Sequence, residues 1–185
     1  VMGRMRLGAI FDWDGVVIDS SKQHEASWER LAAEEGRSLP AGHFEKGFGR
    51  KNHFIIPNIL GWTEDAGEIE RLSTRKEELY REITMETGLE PLPGVRELLE
   101  QFRAAGVPCI IGTSTPRVNI ETILPLLKLQ EYFSGAITAE DVNEGKPDPE
   151  VFLKAARKIE REPAECVVLE DAFLGIDAAL GGGLT

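Results

Sequence analysis

Short apolar runs alternate with amphipathic stretches of helical period over residues 95–169, and this alternation leaves few folds open. Val95, Leu98, Leu99 and Phe102 mark a helix that closes at Gly106, and an apolar strand follows over 107–112. A second helix begins near Val118 and is interrupted at Pro125. A short strand (135–138), a helix carrying Phe152, Ala155, Ala156 and Ile159, and a strand (166–169) complete the series. Strands separated by helices of this length form βαβ units and therefore a parallel sheet. Leu7, Ala9, Ile10 and Phe11 supply one more buried strand near the start of the chain. Ligands of open parallel sheets bind beyond the carboxyl ends of the strands, so the residues that finish each strand carry the functional question.

The region between the first strand and the alternating series has a different character. Ser20-Ser21-Lys22-Gln23 fits a capping box at a helix start; that helix carries Trp28, Leu31 and Ala32 and stops at Gly36. Residues 37–64 are punctuated by Gly47, Gly49, Pro57 and Gly61 and read as short helices joined by turns. A long amphipathic helix over 65–87 turns Ile69, Leu72, Lys76, Leu79 and Ile83 inward. Lys76 interrupts that apolar stripe, either with its ammonium snorkelling to water or with its amine aimed at an anion. Residues 88–94 read as a Pro/Gly-rich linker. The expected organisation is a discontinuous α/β core over 1–20 and 93–185, with an all-helical insertion over 21–92.

Each core strand ends in chemistry. The first runs into Asp12-Trp13-Asp14-Gly15, where an extended backbone would aim both acids to one side. Two such carboxylates at a buried strand end repel unless a cation lies between them, and a hard divalent ion such as Mg2+ suits oxygen ligands. The strand over 107–112 ends in Thr113-Ser114-Thr115, hydroxyls that fit a phosphate or a simple helix cap. Glu144-Gly145-Lys146-Pro147-Asp148-Pro149 holds a lysine on a loop stiffened by two prolines. The strand over 166–169 runs straight into Glu170-Asp171. Any one of these has an ordinary structural explanation. Together, acids, hydroxyls and one lysine at the ends of one sheet make a metal-and-phosphate constellation.

Charge narrows the partners. Twenty-one basic against thirty-two acidic residues leave a net charge of −11, which argues against nucleic acid or anionic membrane as a partner. Cys109 and Cys166 lie in apolar strands and read as small core residues in a reducing compartment. No apolar run approaches the length of a membrane span, and the reading is of a soluble, cytoplasmic chain. A monomer is expected, with a dimer as the alternative.

The run from Phe11 to Ser20, with Thr113, Lys146 in Gly-Lys-Pro-Asp-Pro, and Glu170-Asp171, resembles the four motifs of the haloacid dehalogenase superfamily. The likeness is closest to its β-phosphoglucomutase-like branch and covers essentially the whole chain. It implies a doubly wound parallel sheet with a small helical cap inserted after the first strand. It further implies Asp12 as nucleophile and Asp14 as general acid/base. Asp12, the Asp14 carbonyl, Glu170 and Asp171 would hold Mg2+, and Thr113, Ser114 and Lys146 would meet the phosphoryl oxygens. By the same resemblance Ser20, His24 and Trp28 begin the cap, Gly47-Phe48-Gly49-Arg50 is a cap loop whose arginine grips an anion, and Lys76 is a cap lysine. His43 and His53 match nothing and read as surface residues.

The chain departs from the family pattern in two places. Ala172 stands where a serine is common, and Leu184-Thr185 end the sequence where the family enters a last strand and helix, so a missing final strand is expected. The function implied is a Mg2+-dependent phosphatase of a small phosphorylated metabolite, a sugar phosphate above all. A sugar phosphomutase uses the same residues. A non-catalytic phospho-ligand module is the remaining alternative, and it predicts loss of a catalytic acid or of Lys146, which are all retained.

Overall fold

The computed structural model describes residues 6–47 and 50–185, so Phe48 and Gly49 of the expected cap loop lie outside the described residues. The chain divides into two compact units, Ser20–Leu89 and the remainder.

The first unit is a four-stranded sheet, β1 (Gly8–Phe11), β2 (Cys109–Gly112), β3 (Phe133–Ile137) and β4 (Cys166–Leu169), in the order β3-β2-β1-β4. Every pairing is parallel, with Phe11 level with Ile111 on one side and with Leu169 on the other. All four residues of β1 are buried, as a central strand covered on both faces requires. Ile10 belongs to a cluster with Phe152, Ala155 and Ala156 of α7 (Glu150–Lys158) and with Ala178 and Ala179 of α8 (Phe173–Gly181). Phe11, on the opposite face, packs edge-on against Phe133 and against Phe102 of α5 (Val95–Ala104), with centroids 5.6 and 6.2 Å away. Helix α6 (Arg117–Leu126) follows β2 and runs one residue past Pro125, so this proline sits in the last turn and does not interrupt the helix. The stretch 88–94 is tethered and is not a free linker: Leu92 N donates to Val17 O (2.9 Å), and Pro91 bridges to Ile18. At the outer edge of β4, Thr185 accepts from Val168 N and donates to Cys166 O.

The second unit is all-helical: α1 (Ser21–Glu35), α2 (His43–Gly47), α3 (Asn52–Asn58) and α4 (Ala66–Thr87). Trp28, Leu31, Ile55, Ile56, Ile69, Leu72 and Leu79 form its core. Gly36 closes α1 in the left-handed conformation, with φ of 60°. The capping box expected at Ser20 is not formed. Ser20 lacks the extended backbone of a cap and its side chain makes no cap bond, while Gln23 reaches Thr87 and Gly88 instead. Asp65 caps α4 by accepting from Glu68 N at 2.8 Å. Among the described residues no helix is long and apolar enough to cross a membrane.

Candidate active site

Strand β1 stops at Phe11, before either acid, so the shared-face argument from strand alternation does not apply to Asp12 and Asp14. The chain instead turns sharply. Trp13 O accepts from Val17 N (2.9 Å) and Ile18 N (3.2 Å), and Gly15, at a φ of 80°, donates to Ile18 O (2.8 Å). Asp12 remains in line with the sheet, its amide donating to Leu169 O at 3.0 Å.

Asp12, Glu170 and Asp171 each offer a carboxylate oxygen within 4.8 Å of the others. The crowding needs two glycines. A Cβ on Gly15 would stand 2.0 Å from Asp171 Oδ2, and one on Gly175 would stand 2.0 Å from Glu170 Cδ. Lys146 Nζ bonds Glu170 Oε2 at 2.6 Å and lies 3.1 Å from Asp12 Oδ1. That second contact is out of line for a hydrogen bond, which leaves the buried Asp12 Oδ1 without a hydrogen-bond partner. Burial pushes the Asp12 carboxyl up to about 7; Lys146 works against the rise, and Glu170 and Asp14 add to it. Burial and Glu170 likewise raise Asp171. Hard oxygen donors, an orphaned buried carboxylate oxygen and unrelieved repulsion together fit a divalent cation such as Mg2+. The Asp14 carboxylate is not in this group, and its backbone carbonyl is the atom the family resemblance assigned to the metal.

Lys146 is carried by a loop that α7 pins in place. Glu150 accepts from Asn143 N (2.8 Å), Glu144 N (3.0 Å) and Lys154 Nζ (2.6 Å). Those bonds, the one from Glu144 N first among them, hold the Glu150 carboxyl down at about 2. Thr113 is buried, with its amide bonded to Ile137 O (3.0 Å), and Ser114 is half-buried beside it. The Thr113 hydroxyl donates to Thr115 Oγ1 (3.2 Å), which in turn donates to Asp14 Oδ2 at 2.6 Å.

The helical unit holds the other residues singled out from the sequence. Lys76 does not snorkel; it is 3 % exposed. Its Nζ lies 2.7 Å from His24 Nδ1 and 3.0 Å from Glu77 Oε1, with the Trp28 ring 5.4 Å away. An ammonium only donates, so His24 Nδ1 accepts and its ring hydrogen sits on Nε2. His24 stacks on Tyr80 with centroids 3.9 Å apart, and its amide donates to the carbonyl of buried Ser20. Gly47 ends α2 in a buried position, and exposed Arg50 lies over the Phe54 ring at 4.5 Å. His53 pairs with Glu70 on the surface.

Sequence reasoning did not find Thr115 as a partner of Asp14, Gly175 as the space for Glu170, or Glu150 as the anchor of the lysine loop. The Thr-Ser-Thr run did signal the first. The other two are contacts within four to seven residues, but they depend on how the chain turns at the end of β4 and before α7, which residue type alone does not give.

Residues 8–183 match the family model for haloacid dehalogenase-like hydrolases. The 5-amino-6-(5-phospho-D-ribitylamino)uracil phosphatase of Arabidopsis thaliana, a chloroplast protein, is 34% identical over 184 residues. The alignment covers 98% of this chain and 49% of that protein, so the chain spans about half the length of this relative. The β-phosphoglucomutase of Bacillus subtilis is 30% identical over 181 residues, with 95% of this chain and 79% of that protein covered. Among solved structures, a family IA variant 3 HAD hydrolase from Entamoeba histolytica superposes with a TM-score of 0.88 at 28% identity, covering 97% of this chain and 82% of that one. A match over nearly the whole length, on a parallel sheet tipped with acids, makes this chain a haloacid dehalogenase-like hydrolase of the branch that holds β-phosphoglucomutase.

Proposed function

We propose that the chain is a Mg2+-dependent phosphatase of a small phosphorylated metabolite, a sugar phosphate first of all, acting in the cytoplasm as a monomer. The observation that carries this reading is the crowding of Asp12, Glu170 and Asp171 around Lys146 in a hydrolase family whose named relatives include a phosphatase and a phosphomutase.

Asp12 is the nucleophile. Its carboxylate oxygen forms a bond to phosphorus as the bond to the substrate oxygen breaks, and the leaving oxygen takes a proton from Asp14. Asp14, now ionised, removes a proton from water, whose oxygen attacks phosphorus and releases phosphate and the Asp12 carboxylate. Lys146, with Thr113 and Ser114, offsets the charge on the phosphoryl oxygens. Asp12, Glu170, Asp171 and the Asp14 carbonyl would hold Mg2+, which supplies positive charge between phosphate and carboxylate and so favours ionised Asp12. In the helical unit Ser20, His24, Gly47, Arg50 and Lys76 select the substrate.

A phosphomutase is the second reading, favoured by the 30% identity to β-phosphoglucomutase. It differs only in whether a sugar hydroxyl replaces water at the aspartyl-phosphate. The deciding assay supplies Mg2+ and a panel of sugar phosphates, including β-glucose 1-phosphate with a trace of bisphosphate, and follows free phosphate and isomerised product together. Free phosphate from one or a few substrates establishes the phosphatase, and isomerisation without release establishes the mutase. Asp12→Asn is expected to lower turnover by about 10⁴-fold or more with the fold intact. Retained turnover removes Asp12 as nucleophile.

A further inference from the structure

We propose that Thr115 is a positioning residue that holds the Asp14 carboxylate in the orientation needed for proton transfer to the leaving oxygen. This rests on the reading of Asp14 as general acid/base. Thr115 lies 101 residues from Asp14 in sequence, yet its hydroxyl donates to Asp14 Oδ2 at 2.6 Å, and the residue is 7 % exposed. A short, shielded bond from a hydroxyl to a carboxylate is stronger than its solvent-exposed counterpart.

The direction of the bond is fixed by its neighbours. The Thr113 hydroxyl and the Thr115 hydroxyl stand 3.2 Å apart, and Thr115 N donates to Thr113 Oγ1 at 3.2 Å. Without substrate, Thr113 Oγ1 therefore accepts from that amide and gives its own hydrogen to Thr115, whose hydrogen goes to Asp14; a phosphoryl oxygen that took the Thr113 hydrogen would leave the bond from Thr115 to Asp14 in place. The loop bearing both threonines is tied at two points to the end of β3, by Thr113 N to Ile137 O (3.0 Å) and Ala139 N to Thr115 O (3.2 Å). On the other side, Asp14 leaves the tight turn closed by Gly15 N and Ile18 O. A fixed donor thus faces a carboxylate on a separate, turned segment. That arrangement sets the direction in which Asp14 presents its proton, and small errors in that direction cost rate heavily.

The role makes a prediction that a general packing role does not. Departure of an alkoxide needs a proton, whereas p-nitrophenolate leaves without one. Steady-state kcat/KM, which reports steps up to departure of the leaving group, is measured in Mg2+ for glucose 6-phosphate and p-nitrophenyl phosphate. Thr115→Val is expected to lower it about 10- to 100-fold for the sugar phosphate and less than about threefold for the aryl phosphate. The loss should lie in kcat, with KM little changed. Thr115→Ser, which keeps the hydroxyl, should restore most of the rate, and Thr115→Ala stands in if valine does not fold. Combined with Asp14→Asn, Thr115→Val should add almost nothing, because both act through one group.

Equal losses on both substrates, absence of rescue by serine, or full additivity with Asp14→Asn overturns the positioning role. Asp14→Asn is the control on the underlying reading. If that variant alone shows no dependence on the leaving group, Asp14 is not the acid, and the failure lies in the proposed mechanism and not in the Thr115 contact.

Discussion

The two units handle buried charge in opposite ways. In the α/β unit, buried Asp12 is crowded by half-buried Glu170 and exposed Asp171 with only Lys146 between them, and Asp12 Oδ1 finds no hydrogen bond. In the helical unit the buried Lys76 is met by His24, Glu77 and two aromatic rings, and Asn52 braces Glu77 from behind at 2.7 Å. Charges nearer its surface form ion pairs, as where Arg75 joins Glu34 on α1 to Glu78 and Glu82 on α4. One unit stores repulsion that a cation can relieve, and the other has answered its charge internally. An arrangement of the first kind suits chemistry on a charged ligand, and one of the second kind suits a stable scaffold.

The sharpest way to break this contrast is to take away the space that permits the crowding. Gly175→Ala places a methyl about where Glu170 Cδ now lies, and the end of that side chain must swing out. We expect a loss of about 100-fold in Mg2+ affinity or turnover, with the melting temperature unchanged or higher because alanine favours the helix. Titration of activity against Mg2+ and a thermal melt check this together. Unaltered Mg2+ dependence would mean that Glu170 is not needed at the cation.

The helical unit predicts a different pattern. Glu77→Ala strips Lys76 of its carboxylate and should destabilise the protein by about 3 kcal/mol in urea unfolding. Lys76→Met combined with Glu77→Gln removes both charges and should be close to neutral. Equal destabilisation by both variants would show that Lys76 contributes packing and not charge.

Glu150 joins the comparison from the α/β side, as a charge that is fully satisfied there. Its carboxyl is held down at about 2 against an ordinary value of 4.5. Its contribution is therefore complete above about pH 5 and is lost as the pH falls through 2. The difference in melting temperature between wild type and Glu150→Gln should stay constant above that point and narrow in acid. A gap that keeps its full size at pH 2 assigns the effect to something other than ionisation.

The smallest effect belongs to the surface. Arg75→Ala should cost about 1 kcal/mol or less, and high salt should remove most of that.

Much of this contrast was legible in the sequence, and the reasons are local. An apolar run that ends abruptly in Glu170-Asp171 announces a strand and a polar tip, and β4 has the bounds its composition suggested, although at the sheet edge only Cys166 is buried and 167–169 are half-buried. Lys76 in an apolar stripe announced an unusual lysine, and it is buried. The unread parts depend on distance in sequence or on the exact path of a turn. Nothing near Lys76 in the chain names His24 or Asn52, and nothing near Glu170 shows that Gly175 must lack a side chain. Ser20 had the right residue type for a cap but not the backbone, because the chain is still leaving the turn at Trp13–Ile18. The strand was expected to carry Asp12 and Asp14 on one face, yet it ends at Phe11, and from Trp13 onward the backbone bonds go to the turn.

The parallel register has a consequence for which changes of length the chain can survive. Phe11 stands level with both Ile111 and Leu169, so Asp12 and Glu170 leave the sheet side by side, level with Gly112 at the end of β2. Inserting one residue within β4 would advance Glu170 by about 3.3 Å and turn every later side chain to the opposite face. An insertion of the same size in the crossover between α7 and β4 would be absorbed before the strand begins. Tolerance to insertions and deletions should therefore be patchy, low in four short windows of four or five residues and high between them. Descendants of this chain are free to lengthen their connections, but the strands must keep count.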